Sequence, residues 1–220
     1  MRVELPGPDS RTVFIGSTGT GKTQGAFWLL STRDYNNRAW YIIDPKGEKL
    51  FKELEKKGAL EVDISAPIQD VPGIYIIRPL PGQENELSDF FKRVYYHEAI
   101  GILVDEATMV KKNDQWFRAL MTQGRSKEIE MIICTQRPVN VDKYVFSEAS
   151  YFGVFRLTVL DDNKMVSNYL NGLEPNSLPR YHWLWYMVNE GDYVEFQPVP
   201  SAQEILNSFH IKTLQQPRAI

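Results

Sequence analysis

Eight consecutive residues, Gly16-Ser17-Thr18-Gly19-Thr20-Gly21-Lys22-Thr23, form a GxxxxGKT loop between the apolar run Thr12-Val13-Phe14-Ile15 and the helix-like segment Gln24 to Leu30. These residue types suit phosphate binding. Glycines let backbone N–H groups curl around an anion, Lys22 reaches the β- and γ-phosphates, and the Thr23 hydroxyl is placed to ligate Mg²⁺. Such a loop is common to kinases, switches and motors, so the next acidic signal decides the chemistry. Ile100-Gly101-Ile102-Leu103-Val104-Asp105-Glu106 is an apolar run ending in two adjacent carboxylates, the Walker B pattern. Asp105 is placed to hold Mg²⁺ through water, and Glu106 to orient and deprotonate an attacking water. Two neighbouring carboxylates repel unless a cation or hydrogen bonds compensate, which favours a metal site. A carboxylate beside the Walker B aspartate points to hydrolysis by water rather than phosphoryl transfer to a small acceptor. Met131-Ile132-Ile133-Cys134 then leads into Thr135-Gln136-Arg137-Pro138. A side-chain amide there can donate to the γ-phosphate or the attacking water. Gln136 is the candidate sensor and Thr135 the second choice; capping a loop is the alternative role for Gln136.

These residues need a scaffold that brings them to one place. Strands are expected at Thr12–Ile15, Ala39–Ile43, Ile74–Ile77, Ile100–Val104 and Met131–Cys134. Amphipathic helices are expected over Glu48–Lys57, closed by Gly58, over Gln83–Tyr96, and over Asp114–Gln123, with Gly124 as its cap. Short β-rich runs alternating with helices specify a mostly parallel sheet flanked by helices. Ligands of such sheets bind at the carboxyl ends of strands, so the phosphate loop, Asp44, Asp105 and Thr135-Gln136 are expected to share one edge. The separation of Lys22 from Asp105 leaves room for two strand-helix units, and at least one strand is expected between the loop strand and the Walker B strand. The fold class is therefore α/β, a RecA-like P-loop NTPase of the additional-strand, catalytic-glutamate kind. Further on, Tyr151–Val159 reads as a strand, Asp162–Leu170 as a short helix, and His182–Val188 with Tyr193–Pro198 as a hairpin presenting Trp183, Trp185 and Met187 on one face. A helix over Ser201–Phe209 and a loose tail at Gln215–Ile220 complete the expectation. The 220 residues are read as one domain, with a core over about 10–160 and a C-terminal extension over about 151–212.

With 43% hydrophobic residues the chain can bury a full core. A net charge of −3 argues against a generally adhesive nucleic-acid binder, although a channel can gather a few lysines without a positive total. The single Cys134 excludes an internal disulfide and reads as a packed core thiol of a reducing compartment. The segment Met1 to Pro8 carries no apolar core of a signal peptide, and no run reaches the 18 or more apolar residues of a membrane span, so a soluble, non-secreted protein is expected.

Taken together, Gly16 to Thr23, Ile42-Ile43-Asp44-Pro45-Lys46-Gly47-Glu48, Leu103 to Glu106 and Thr135-Gln136-Arg137-Pro138 resemble the FtsK/HerA superfamily of ring-forming, DNA-pumping ATPases, in order and spacing, across roughly residues 10 to 160. Cell-division translocases and HerA-type proteins carry extra DNA-reading or barrel domains, and terminase motors carry a nuclease. A bare motor of this size resembles the genome-packaging ATPases of tectiviruses and related membrane-containing, double-jelly-roll viruses.

The resemblance implies a homo-oligomeric ring with ATP and Mg²⁺ between subunits, acting on double-stranded DNA at a capsid portal or membrane vertex, in the host cytoplasm and the virion. It also implies an arginine supplied in trans to the transferring phosphoryl group. Arg125, in Gln123-Gly124-Arg125-Ser126, stands where relatives often carry a Gly-Arg pair, and Arg137 is the alternative; a surface salt bridge is the competing role for each. Lys111 and Lys112 are candidates for a channel loop gripping DNA phosphates, and Lys46 is a further candidate that can couple to nucleotide state. A solvated loop is the competing reading of the lysine pair. No helix-turn-helix or zinc motif accompanies them, so sequence-specific readout is not expected. An assembly or secretion ATPase acting on protein, as in filamentous-phage morphogenesis, a conjugation-type DNA pump, and a phosphotransferase remain as other readings.

Overall fold

The runs Arg11–Ile15 (β1), Ala39–Ile43 (β2), Gly73–Ile77 (β4), Gly101–Val104 (β5) and Glu130–Thr135 (β6) are buried along their whole length. Uninterrupted burial requires cover on both faces of a sheet, which parallel strands obtain from their crossover helices. The computed structural model describes residues 5–212, and in it these strands join Leu60–Glu61 (β3), Tyr151–Phe155 (β7), Trp183–Met187 (β8) and Asp192–Phe196 (β9) in a nine-stranded sheet ordered β3-β4-β2-β5-β6-β1-β7-β8-β9. Strands β1 to β7 pair in parallel, whereas β7–β8 and β8–β9 are antiparallel.

Alternate residues of each strand feed opposite cores, as the period of two requires. On one face Val13, Ile15, Tyr41, Ile102 and Ile133 pack with helices α3 (Glu84–His97) and α4 (Gln115–Gln123) through Phe90, Phe91, Phe117 and Leu120. On the other, Phe14, Trp40, Leu103 and Cys134 meet helices α1 (Lys22–Ser31), α2 (Lys49–Glu55) and α7 (Ala202–Ser208) through Phe27, Phe51 and Leu206. The hairpin contributes as the alternation predicts: Trp183, Trp185 and Met187 are buried in this second core. Cys134 is fully buried, and desolvation pushes its thiol well above the ordinary range.

The sheet order carries the additional strand, but by a route that chain separation does not give. The strand between β1 and β5 is β6, which follows the Walker B strand in sequence, while β2 and β4 lie beyond β5. Room between Lys22 and Asp105 is thus the wrong reason for a correct arrangement. Other expectations shift locally. The strand begun at Tyr151 stops at Phe155, because the Arg156 carbonyl turns to accept from the Ser17 N–H (3.1 Å) and Thr158 meets the Ser17 side chain. Gly124 caps α4 as expected, its N–H donating to the Leu120 carbonyl, but at a φ of −60°; the chain continues into a 3₁₀ turn through Lys127, and Glu128 takes the left-handed position at φ 53°. Asp114 starts α4 by accepting from the Trp116 and Phe117 amides. The short β3, the one-turn helix α5 (Tyr144–Ser147) and the start of helix α6 (Leu160–Tyr169) at Leu160 were not expected. The expected tail at Gln215–Ile220 lies outside the described residues.

Candidate active site

Because β1, β2, β5 and β6 run parallel, their carboxyl ends bring the phosphate loop, Asp44, Asp105-Glu106 and Gln136 to one edge of the sheet. A cleft of about 370 Å³ opens there, lined by Thr18, Gly19, Gly21, Lys22, Thr23, Lys46 and Gln136 among others.

The loop is held from below and left open above. The Gly16 N–H donates to the Thr135 carbonyl (3.3 Å), the Ser17 N–H to Arg156, and the Thr20 hydroxyl to the Ser17 carbonyl (2.7 Å). Phe155, stacked on Trp183 with ring centroids 5.6 Å apart, buttresses the loop: a methyl group at Gly16 would sit 2.7 Å from its Cβ, and one at Gly21 3.2 Å from its ring. Gly19 and Gly21 take left-handed conformations, φ 74° and 108°, which turn successive amides towards one side. Helix α1 begins at Lys22 with no side-chain cap. Among the described residues no hydrogen bond takes up the amides of Thr18, Gly19, Gly21, Lys22 or Thr23. A row of free N–H groups at a helix N-terminus, with the buried Lys22 ammonium beside it, is a phosphate receptor.

Asp105 is fully buried, and neither of its carboxylate oxygens has a hydrogen-bond partner of good geometry. Desolvation pushes its pKa up to about 7, against the opposing pull of the Thr23 hydroxyl, Lys46 and Lys22. An orphaned buried carboxylate calls for a cation. The residues fit Mg²⁺, a hard cation that takes one or two protein oxygens alongside waters and phosphate: the buried Asp105 carboxylate stands beside the Thr23 hydroxyl. Asp105 and Thr23 are the residues that would hold it.

Glu106 is nearly buried, and both its oxygens are engaged. Lys46 Nζ donates to Oε2 at 2.8 Å and the Thr108 hydroxyl to Oε1 at 2.9 Å. Burial lowers the Lys46 pKa, but the hydrogen bond and charge of Glu106, with Asp105 and Glu48, outweigh it and the net shift is upward. Lys46 reaches Glu106 because Asp44-Pro45-Lys46-Gly47 forms a turn, with Gly47 at φ 63°. Asp44 anchors it by accepting from the Glu48 N–H (3.0 Å) and from Arg78 Nε (3.2 Å). Asp44 is therefore a positioning carboxylate, and Lys46 stands in the nucleotide cleft beside the catalytic candidate.

Gln136 meets the phosphate loop directly, with its Oε1 accepting from the Thr18 hydroxyl at 2.6 Å, which leaves the amide N–H₂ as a donor beside the cleft. Thr135 is buried, and its hydroxyl accepts from the Arg137 N–H. Arg137 pairs with the fully buried Asp162 at 2.9 Å, on the outer wall of the loop with Ser17 and Thr158. Arg125 precedes β6 at the opposite edge of the sheet, largely exposed and paired with Asp9 at 3.1 Å. It is remote from the cleft of its own chain. Lys111 and Lys112 are exposed on the loop after Glu106, and Asp142 ties that loop down by accepting from the Asn113 N–H (3.1 Å) and Arg118 Nε (2.7 Å). Three contributors were not anticipated: Thr108 on Glu106, Phe155 beneath the loop, and Tyr181, which joins the cleft from the segment before β8. The repeated glycines at 16, 21 and 25 mark where Phe155 approaches, but nothing local in the sequence names the residue that does so.

No protein-family model matches the chain. Among solved structures it is similar to the genome packaging NTPase B204 of Sulfolobus turreted icosahedral virus 2 bound to AMPPCP, with a TM-score of 0.70 and 18% identity over 88% of this chain and 100% of that one. VirB4 of Thermoanaerobacter pseudethanolicus shares the fold at a TM-score of 0.68 and 10% identity, covering 92% of this chain and 93% of that one. Among curated proteins it is 34% identical, over 96% of both chains, to the DNA packaging ATPase P9 of Enterobacteria phage PRD1. Identity at that level along nearly the whole of both sequences, on a fold that brings the phosphate loop, Asp105-Glu106 and Gln136 to one edge of the sheet, places the chain in the family of DNA packaging ATPases.

Proposed function

We propose that the chain is the Mg²⁺-dependent, ATP-hydrolysing motor that drives double-stranded DNA into a preformed viral capsid, working as a homo-oligomeric ring at a portal or membrane vertex of the particle. The observation that carries this reading is the 34% identity to a DNA packaging ATPase along 96% of both chains, joined to a cleft lined by the phosphate loop, Lys46 and Gln136. The free amides of the loop and Lys22 bind the triphosphate and spread its charge. Asp105 and Thr23 would hold Mg²⁺, which would supply positive charge against that developing on the phosphate. Gln136 donates towards the γ-phosphate or the water, and Glu106 takes the proton from that water.

In the structure Lys46 and Thr108 each donate to one oxygen of Glu106, which orients the carboxylate and leaves a second lone pair on each oxygen for the proton of the water. This supports the role of Lys46 in coupling to nucleotide state over direct contact with DNA. Arg125, far from its own cleft, would leave its exposed pair with Asp9 to serve a neighbour, while Arg137 at the near edge would have to leave the buried Asp162. Lys111 and Lys112 follow Glu106 closely enough to move with it.

The test is ATPase measured beside oligomer mass, with and without duplex DNA over a range of salt. DNA-stimulated hydrolysis by an oligomer is expected. ATPase indifferent to DNA, together with capture of a capsid or membrane protein, would instead establish a factor acting on protein.

A further inference from the structure

The cleft extends past the phosphate loop to a wall made by the C-terminal extension, and that wall contains Tyr181. Its position is unusual on three counts. The backbone is left-handed at φ 66°, a conformation that Asn or Gly adopts without cost and that an aromatic residue occupies under strain. The side chain is 40% exposed although it stands beside Gly21, whose added methyl would lie 3.8 Å from the ring. The Arg180 guanidinium covers the ring with its carbon 4.7 Å from the centroid, and Arg180 is not part of the cleft wall. A planar cation on one side leaves the opposite face for a second planar group.

Besides Lys46 and Gln136, the remaining wall beyond Thr23 consists of Gln24, Glu48, Leu50 and Ala202, and the Glu48 carboxylate opposes a further phosphate there. Leu50 and Ala202 offer apolar surface, and the Gln24 Nε2 already donates to the Pro200 carbonyl at 2.6 Å. The site is thus suited to a flat, weakly polar ring rather than to further phosphate. Its frame is rigid: Tyr181 leads straight into Trp183, which stacks between Phe155 and Phe196 with centroids 5.6 and 4.9 Å away. The same Phe155 supports Gly16 and Gly21, so the platform and the phosphate loop share one buttress.

We propose that Tyr181 is the platform on which the nucleobase of the bound triphosphate stacks, so that the C-terminal extension, and not the Walker core, sets base affinity. The proposal rests on the reading of the cleft as a triphosphate site. Stacking is indifferent to hydrogen-bond pattern and stronger for larger rings, so purine triphosphates bind more tightly than pyrimidine ones, with little preference between ATP and GTP.

The decisive experiment is calorimetric titration of the full chain with ATP, CTP and inorganic tripolyphosphate, all with Mg²⁺, for wild type, Tyr181→Phe and Tyr181→Asn. The Asn variant relaxes the backbone while removing the ring, so its melting temperature is not lowered. It should lose roughly tenfold or more in ATP affinity, less in CTP affinity, and nothing in tripolyphosphate affinity, whereas Tyr181→Phe stays near wild type. ATP affinity within twofold of wild type in Tyr181→Asn overturns the proposal. So does an equal loss for ATP and tripolyphosphate, which would mean that the residue only shapes the loop. Wild-type protein that binds neither ATP nor tripolyphosphate removes the triphosphate reading itself, and the platform with it.

Discussion

Replacing Gly16 by alanine tests whether the phosphate loop is fixed by what lies beneath it. The added methyl would stand 2.6 Å from Thr20 Oγ1 and 2.7 Å from Phe155 Cβ, distances that real Cβ atoms do not reach. Thr20 can rotate only by giving up its 2.7 Å bond to the Ser17 carbonyl, worth about 1 kcal/mol. Phe155 cannot retreat, because its Cβ is fixed by β7 and its ring by Trp183. The loop itself must rise, at the ~1–3 kcal/mol typical of overpacking. For a chain of this size each kcal/mol lowers the melting temperature by about 2–4 °C, so a combined cost of about 2–4 kcal/mol predicts a fall of roughly 4–16 °C. Tilting the amides away from the anion should also weaken ATP binding at least about tenfold, equivalent to ~1.4 kcal/mol. Gly19→Ala is the control. Nothing lies within 4 Å of its added methyl, and only the left-handed φ of 74° penalises it, by about 1–2 kcal/mol. Thermal melts and ATP titration of both variants decide the matter. A Gly16→Ala protein with wild-type melting and wild-type affinity, or one more stable than Gly19→Ala, would refute the claim that Phe155 sets the height of the loop.

Three further outcomes are expected. Glu106→Gln keeps ATP binding while turnover falls by roughly 100- to 10,000-fold, the range of a missing general base; single-turnover hydrolysis at the wild-type rate would release Glu106 from that role. Mixing Arg125→Ala subunits with Glu106→Gln subunits restores part of the ATPase that each lacks alone if Arg125 acts on its neighbour; no recovery in oligomers of normal mass points to Arg137. Removing Lys111 and Lys112 together weakens duplex DNA binding alike for all sequences and flattens the logarithmic salt slope by about 0.9 for each DNA phosphate no longer neutralised; an unchanged slope places the channel elsewhere.

The strand ends were legible because each is announced locally: an apolar run followed at once by Gly16, Asp105 or Gln136 declares both the strand and the residue at its tip. The helices α3 and α4 were legible for the same reason, since Leu87, Phe90, Phe91 and Val94 repeat at helical spacing and are buried. What the chain concealed depends on who meets whom. Nothing near Lys46 announces a bond to a carboxylate 60 residues away; it follows from β2 pairing with β5, a property of strand order. The insertion of β6 between β1 and β5 is likewise a matter of crossover direction, on which spacing is silent. Tyr181 was invisible because its neighbours in sequence lie in an irregular segment, and only the fold of the hairpin brings it over Gly21.

The two borders of the sheet restrict how copies of this chain can join. At one end β3 offers only two residues for pairing, and at the other β9 is mostly exposed and carries Asp192 and Glu195 along its length. A short border and an acidic one both resist the addition of another strand, since a second copy of β9 would bring like charges face to face. In the ring proposed above, subunits would therefore meet through loops and helix surfaces, which can slide and reset, and not through a shared backbone ladder that would lock them at a fixed angle.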